Sequence, residues 1–209
     1  YFASLIRVFE GSVTPFKGDY VNYVERIPLG LVIQITPWNH PLLISIKKLS
    51  CALAAGNSVI LKPSELSPVS ILRIADFLNE SGLPKGVFNV VQGYGSKIGE
   101  RLCVNNYVSK IDLTGGDKAG KIIGEHAGKN GIYYSTELGG KSPMLLFEDS
   151  DIEKAVSGIT FGCFIASGQT CIAGTRLLIQ RSISEKFLSS LKKKILSLKI
   201  GDPYSLETN

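Results

Sequence analysis

The chain predicts an α/β fold built on a doubly wound parallel sheet, and three observations carry that prediction. Short apolar runs alternate with helix-length segments, the pattern of strands buried on both faces. Glycine-rich turns recur where an apolar run hands over to a helix, as at Gly93-Tyr-Gly95 and Gly115-Gly116. The 209 residues are 44% hydrophobic and 20% charged, which suits a globular core. No apolar run approaches the ~20 residues that a membrane helix needs.

The elements follow in order. Val13 to Pro28 alternates apolar and polar residues around Lys17-Gly18-Asp19 and reads as a β-hairpin. A lone hairpin is marginal, so this one is expected to pair with something else. Leu31 to Thr36 is the first buried strand, and Pro41 to Ala55 is a helix with Pro at its start and Gly56 past its end. Ser58 to Lys62 is the second strand, broken by Pro63. Ser67 caps a helix that runs to about Ser81 and closes on Gly82. Val87 to Val91 is the third strand, followed by Gly93-Tyr-Gly95 and a short helix. Lys110 to Thr114 is the fourth, and Gly115-Gly116 leads into a helix containing Gly120. Tyr133 to Leu138 is the fifth.

Beyond Gly140 a second unit begins, with a helix from about Asp151 to Ile165 and a strand at Arg176 to Gln180. Ser184 then caps an amphipathic helix running toward Lys199. The expected boundaries are 1–138 and 139–209. Five strands in β-α-β order put ligands beyond the carboxyl ends of the strands.

Bulk properties narrow the function. The net charge of +5 is modest and the lysines are spread out apart from Lys192 to Lys194, so nucleic-acid binding is not indicated. Cys51, Cys103, Cys163 and Cys171 form no C-x-x-C pair, and with His40 and His126 the only histidines, no metal site is expected. Sparse cysteines fit a reducing compartment. The chain starts at Tyr1 without a leader and reads as an internal piece of a longer protein. Cytosol is the default location; a mitochondrial one stays open, because a presequence could precede Tyr1.

Several residues could carry chemistry. Cys171, in Ser167-Gly-Gln-Thr-Cys171 with Ala173-Gly174 after it, is either a small buried hydrophobe or a nucleophile in a turn that another molecule can approach. Cys163 sits in an apolar stretch and reads as core, while Cys51 and Cys103 fall within helices and read as structural. Glu137 ends a strand expected to be buried, so it is either a base with a raised pKa or the ion-pair partner of Lys141. Asn39 either caps the helix at Pro41 or donates to a developing oxyanion. Lys62 and Glu65 are either an exposed loop pair or a site for ribose hydroxyls. Gly115-Gly116-Asp-Lys-Ala-Gly120 suits a pyrophosphate at a helix start, although it is not G-x-G-x-x-G.

Taken together, Pro37-Trp-Asn39, Lys62-Pro-Ser-Glu65, Thr114-Gly115 with Gly120, Glu137-Leu-Gly-Gly140 and Gly168-Gln-Thr-Cys171 resemble the NAD(P)-dependent aldehyde dehydrogenase superfamily, in its order and spacing. The resemblance covers nearly the whole chain. It implies a five-stranded Rossmann-like sheet, an oligomerisation arm at the hairpin of about residues 12–28, and the start of a second α/β catalytic domain. It implies Cys171 as nucleophile, Asn39 with the Cys171 N–H as oxyanion donors, and Glu137 as the base that activates water. The implied cofactor-binding residues are Thr36, Pro37, Trp38, Lys62, Ser64, Glu65, Gly95, Gly99, Thr114, Gly115, Gly116, Leu138 and Gly139. The family often has serine where this chain has Gly116.

The implied reaction is NAD-dependent oxidation of an aldehyde to an acid through a cysteine thiohemiacetal and thioester, with NADP also possible. Glu137 disfavours the related CoA-acylating enzymes, in which a thiol rather than water takes the acyl group. Phe164, Ile165 and Ala166 are expected beside the nucleophile as an apolar pocket. The implied partners are a small-molecule aldehyde and copies of the same chain, as a homodimer or homotetramer, with no nucleic acid and no membrane. The alternative is a non-catalytic NAD-binding or oligomerisation module of the same fold.

Overall fold

A computed structural model describes residues 1–208, and these divide into two compact units, Tyr1–Leu138 and Gly139 onward.

The first unit opens with a short helix, α1 (Phe2–Leu5), and a 3-10 turn, neither of which has a sequence signal. The expected hairpin follows as β1 (Ser12–Thr14) paired antiparallel with β2 (Asn22–Val24), and every residue of both strands is exposed. The rest alternates: β3 (Leu31–Ile35), α2 (Pro41–Ala54), β4 (Ser58–Lys62), α3 (Val69–Glu80), β5 (Phe88–Val90), α4 (Glu100–Cys103), β6 (Val108–Thr114), α5 (Asp117–Lys129) and β7 (Tyr133–Glu137). The five strands β3 to β7 form one parallel sheet in the order β5-β4-β3-β6-β7. The chain builds outward from β3 to β5 and then crosses back to β6 on the other side of β3. That reversal makes the β3–β6 junction the switch point of the sheet.

Apolar side chains fill both faces. Val59 and Leu61 pack with Leu49, Ala52 and Ile71 under α2 and α3. Ile33, Ile111 and Leu113 pack with Cys103, Ile123 and Ala127 under α4 and α5. Each such fully buried aliphatic side chain contributes roughly 1.5–3 kcal/mol.

Two polar devices set the register. Asn57, buried between α2 and β4, accepts from the N–H groups of Leu29 and Gly30 at 2.7 and 3.1 Å and donates to the Ala52 carbonyl at 3.1 Å. One side chain thus fastens the start of β3 to the end of α2. Lys48 on α2 reaches down to Asp112 on β6, and Ser135 on β7 donates to the same carboxylate at 3.1 Å. Asp112 is paired in register with Gln34 and Ser135, so this polar row lies on the face that α2 covers.

The second unit holds β8 (Ser142–Leu146), α6 (Ile152–Phe164), β9 (Gly174–Ile179) and α7 (Ser184–Leu196). Strand β8 pairs parallel with β9, and Leu146, Val156, Phe187 and Leu191 form the core. The sequence reading missed β8 because Pro143 interrupts it. The register shifts at Ser142/Pro143, the irregular position where a strand tolerates a residue without an N–H.

Two expected caps are corrected. Pro68 occupies the cap position of α3, and the Ser67 hydroxyl bonds elsewhere. Ser184 is the first helical residue of α7, and its hydroxyl donates to the Arg181 carbonyl at 3.0 Å. In contrast, Asp151 does cap α6, accepting from the Lys154 N–H at 3.1 Å. The cysteines also sort differently from expectation: Cys51 is exposed and Cys163 half-buried, while Cys103 has 0% exposure.

Removing one member of the Lys48 pair strands a buried charge, so Asp112→Ala is expected to lose about 3 kcal/mol in urea unfolding. The double variant Lys48→Met/Asp112→Leu should recover most of it. Burial raises the Cys103 thiol to about 11, so this group stays neutral through the physiological range. Iodoacetamide at pH 8 should label exposed Cys51 and Cys171 first and Cys103 roughly 100-fold more slowly, as read by peptide mass spectrometry.

Candidate active site

In the first unit, the residues singled out by sequence gather at the carboxyl ends of four strands. Thr36 follows β3, Lys62 ends β4, Thr114 ends β6 and Glu137 ends β7. Backbone bonds tie these ends together: Thr36 N–H donates to the Lys62 carbonyl at 3.1 Å, and Gly115 N–H donates to the Glu137 carbonyl at 3.0 Å. Thr36 and Thr114 are buried. The Ser45 hydroxyl on α2 donates to the Thr36 hydroxyl at 3.0 Å, a second staple between this helix and the sheet.

Asn39 does not cap α2. The cap position is His40, whose N–H donates to Asn39 Oδ1 at 3.1 Å. The amide oxygen is thereby committed to the backbone, and NH₂ is the donor end, the polarity an oxyanion requires. Pro37 fixes φ just before this segment, and Trp38, 44% exposed, lies on its surface.

Lys62 is not the exposed loop residue that the sequence allowed. It is only 4% exposed, and its Nζ donates to the Pro63 carbonyl at 2.9 Å while pairing with Glu65 at 3.5 Å. Burial of the Lys62 side chain makes this cation a fixed feature of the strand end. Glu65 stays at the surface, and Ser64 Oγ accepts from the Leu66 N–H at 3.3 Å, shaping the loop.

The glycine turns leave room at a helix start. Helix α5 has Gly116 at its cap, with no side-chain cap bond, which leaves its first N–H groups without a side-chain acceptor. A Cβ at Gly116, Gly95 or Gly99 would meet no atom within 4 Å. Gly120 is required for packing instead, since a Cβ there would sit 2.8 Å from the Leu138 side chain. Gly95–Gly99 winds as a single π turn before α4, a rare geometry often found beside functional sites. This combination of a buried cation paired with a surface carboxylate, an uncapped helix start and open glycines fits a dinucleotide.

Glu137 requires a correction. Its strand is the edge strand β7, and the carboxylate is exposed rather than buried.

In the second unit, the chain leaves α6 through three successive left-handed residues: Ala166 at φ 51°, Ser167 at 56° and Gly168 at 72°. Two of them carry a Cβ, which costs on the order of 1–3 kcal/mol each. A Cβ at Gly168 would come 3.2 Å from the Cys163 carbonyl, so glycine is needed there on two counts. The next turn is closed by the Ala173 N–H on the Thr170 carbonyl at 3.0 Å, which puts Cys171 on its exposed corner. Gly140 lies against this turn, 3.5 Å from the Cys171 carbonyl to a Cβ built at residue 140, while Gly139 beside it is exposed. Phe164, Ile165, Ala166 and Ser167 line a groove of about 880 Å³ with Ile195 and Ile200. The left-handed run and the roles of Ser67, Lys48 and Asp112 escaped the sequence reading; the small-residue cluster before Cys171 was the one available signal.

A sequence model of the Aldehyde dehydrogenase family matches residues 1–209. Betaine aldehyde dehydrogenase 2 of Rhizobium meliloti (strain 1021) is 43% identical over 209 residues, covering 100% of this chain and 43% of the relative. Among solved structures, PnpE in complex with nicotinamide adenine dinucleotide superposes with a TM-score of 0.96 at 44% identity, over 100% of this chain and 43% of that one. An NADP-dependent enzyme of E. coli superposes at 0.96 with 35% identity, over 99% and 43%. The chain thus spans less than half the length of these relatives. The match along the full chain, on a fold shared at this identity, means that the chain belongs to the aldehyde dehydrogenase family.

Proposed function

We propose that this chain supplies the cofactor-binding and nucleophile-bearing parts of an enzyme that oxidises an aldehyde to a carboxylic acid with NAD. The observation that carries this reading is Cys171 on the exposed corner of a turn, held out by a strained left-handed run. A purely structural cysteine needs neither feature.

The Cys171 thiolate adds to the aldehyde carbon, forming a C–S bond and a thiohemiacetal oxyanion. The Asn39 amide and the Cys171 N–H stabilise that charge. A dinucleotide held at Lys62, Glu65 and the Gly115 turn would supply the hydride acceptor, and loss of hydride from the same carbon would leave a thioester on the Cys171 sulfur. Glu137 takes a proton from water as it attacks the thioester, releasing the acid and the thiolate. Its exposure at a strand end leaves it in reach of water.

The adenosine ribose binds at Lys62 and Glu65, with Ser64 shaping the loop, and the pyrophosphate lies near Gly115 and Gly116. Thr36, Pro37, Trp38, Gly95, Gly99, Thr114, Leu138 and Gly139 complete the cofactor set. The Glu65 carboxylate accepts ribose hydroxyls and repels a 2′-phosphate, which favours NAD. The first unit is the dinucleotide-binding domain and the second begins the catalytic domain. The apolar groove by Phe164 and Ile165 favours an uncharged aldehyde chain. The hairpin, with Val13, Tyr20, Tyr23 and Ile27 exposed, forms an oligomerisation arm in a homodimer or homotetramer. No helix among the described residues is long and apolar enough to cross a membrane, and the reading takes the cytosol as its location.

NADH formation with a panel of aldehydes should vanish in Cys171→Ala. Glu137→Gln should release about one NADH per chain in a burst and then slow at least ~100-fold. Unchanged steady turnover in that variant would remove Glu137 from the role, and NAD binding with no turnover in any variant would assign the non-catalytic module. Glu65→Gln should shift the NADP-to-NAD affinity ratio up by about tenfold in titrations followed by Trp38 emission.

A further inference from the structure

Helix α3 begins at Val69 with Pro68 at its cap position and no side-chain cap. Ser67 could have supplied that cap, yet its hydroxyl donates to the Trp38 carbonyl at 3.1 Å, a partner far away in sequence. Its own N–H donates to the Ser64 carbonyl at 3.2 Å and closes the turn around Glu65, the partner of buried Lys62. Ser67 is therefore fixed by one strand-end loop and grips the other.

We propose that Ser67 is a positioning residue, whose hydroxyl orients the Trp38–Asn39 peptide, and with it the Asn39 amide, from the Lys62–Glu65 loop. This rests on the reading of Asn39 as an oxyanion donor. The Trp38 carbonyl and the Asn39 N–H belong to one rigid plane, so holding the carbonyl holds the peptide that leads into Asn39. The neighbouring degrees of freedom are already constrained. Thr36 N–H is tied to the Lys62 carbonyl at 3.1 Å, and Pro37 fixes its own φ. Beyond Trp38, the Asn39 side chain is tied to the His40 N–H at 3.1 Å. The Trp38 peptide lies between these anchors, and Ser67 holds it. Two strand ends, one for ribose and one for the oxyanion, become a single piece.

Trp38 is the one tryptophan in the chain, so its emission reads this joint directly. Ser67→Ala, Ser67→Cys and Ser67→Thr are compared with the wild type, and Ser197→Ala, which removes a local bond to the Lys194 carbonyl, serves as the remote control. In Ser67→Ala, acrylamide quenching of Trp38 is expected to rise about twofold with a red-shifted emission, as the released joint gains open conformers. Ser67→Cys, a weaker donor, should fall between, while Ser67→Thr and Ser197→Ala should match the wild type. Loss of one such bond lowers the unfolding midpoint by no more than about 5 °C, so the change is local. Wild-type quenching and emission in Ser67→Ala would overturn the proposal, as would Ser67→Thr behaving like Ser67→Ala. The readout needs no turnover: failure here strikes Ser67 alone, whereas absent NADH formation strikes the roles of Asn39 and Cys171.

Discussion

Lys48 is an ammonium group taken out of water beneath helix α2, and Asp112 on β6 is the carboxylate that meets it. With side chains 8% and 22% exposed, each charge is partly desolvated and is met by the other. The contact favours the axial and rotational setting of helix α2 that lays Lys48 over Asp112. Ser45, three residues earlier, then falls on Thr36, and Asn57, just after the helix, fastens the start of β3. The loop that carries Trp38 and Asn39 is the N-terminal extension of this fixed helix, so its place at the end of β3 follows from a polar contact one row below.

The strand ends inherit that order. Thr114 pairs in register with Glu137, and Asp112 with Ser135, so the polar row under α2 and the residues at the strand ends are successive rows of one face. The strand order reverses between β3 and β6, the switch point at which doubly wound sheets bind their ligands. Lys62 contributes a buried cation, Glu65 a surface carboxylate and α5 an uncapped amino end. The proposed dinucleotide site draws on these groups, since ribose hydroxyls suit a carboxylate and phosphates suit a helix amino end.

Much of the sheet was legible because its strands are apolar and end at glycine or proline; Ser58–Lys62 emerges with the bounds that the sequence suggests. Strand β8 was not, since Pro143 opposes strand formation locally and only pairing with β9 compensates. Ser67 and Ser184 look like caps because capping is the commonest local use of a serine before a helix. What displaced Ser67 was a carbonyl in a distant loop, and no local pattern encodes such a partner. Glu137 misled for a related reason: an apolar-looking strand suggests a central position, but β7 is the edge. Lys48, Asp112 and Ser135 were invisible as a set because pairing across α2, β6 and β7 joins them. The motif residues were legible through their small or unusual neighbours, and the strain at Ala166 and Ser167 was hidden in residue types that carry no turn signal.

The proposed chemistry converges on one atom, the Cys171 sulfur, and an acyl group carried there is its most direct signature. Peptide mass mapping after acid quench of the chain with NAD and an isotopically labelled aldehyde reads that group. The account predicts the acyl mass on the peptide containing Cys171, and none on those containing Cys51, Cys103 or Cys163. A label on another cysteine, or no acyl label on Cys171 in the Glu137→Gln variant, where the thioester should persist, would contradict it.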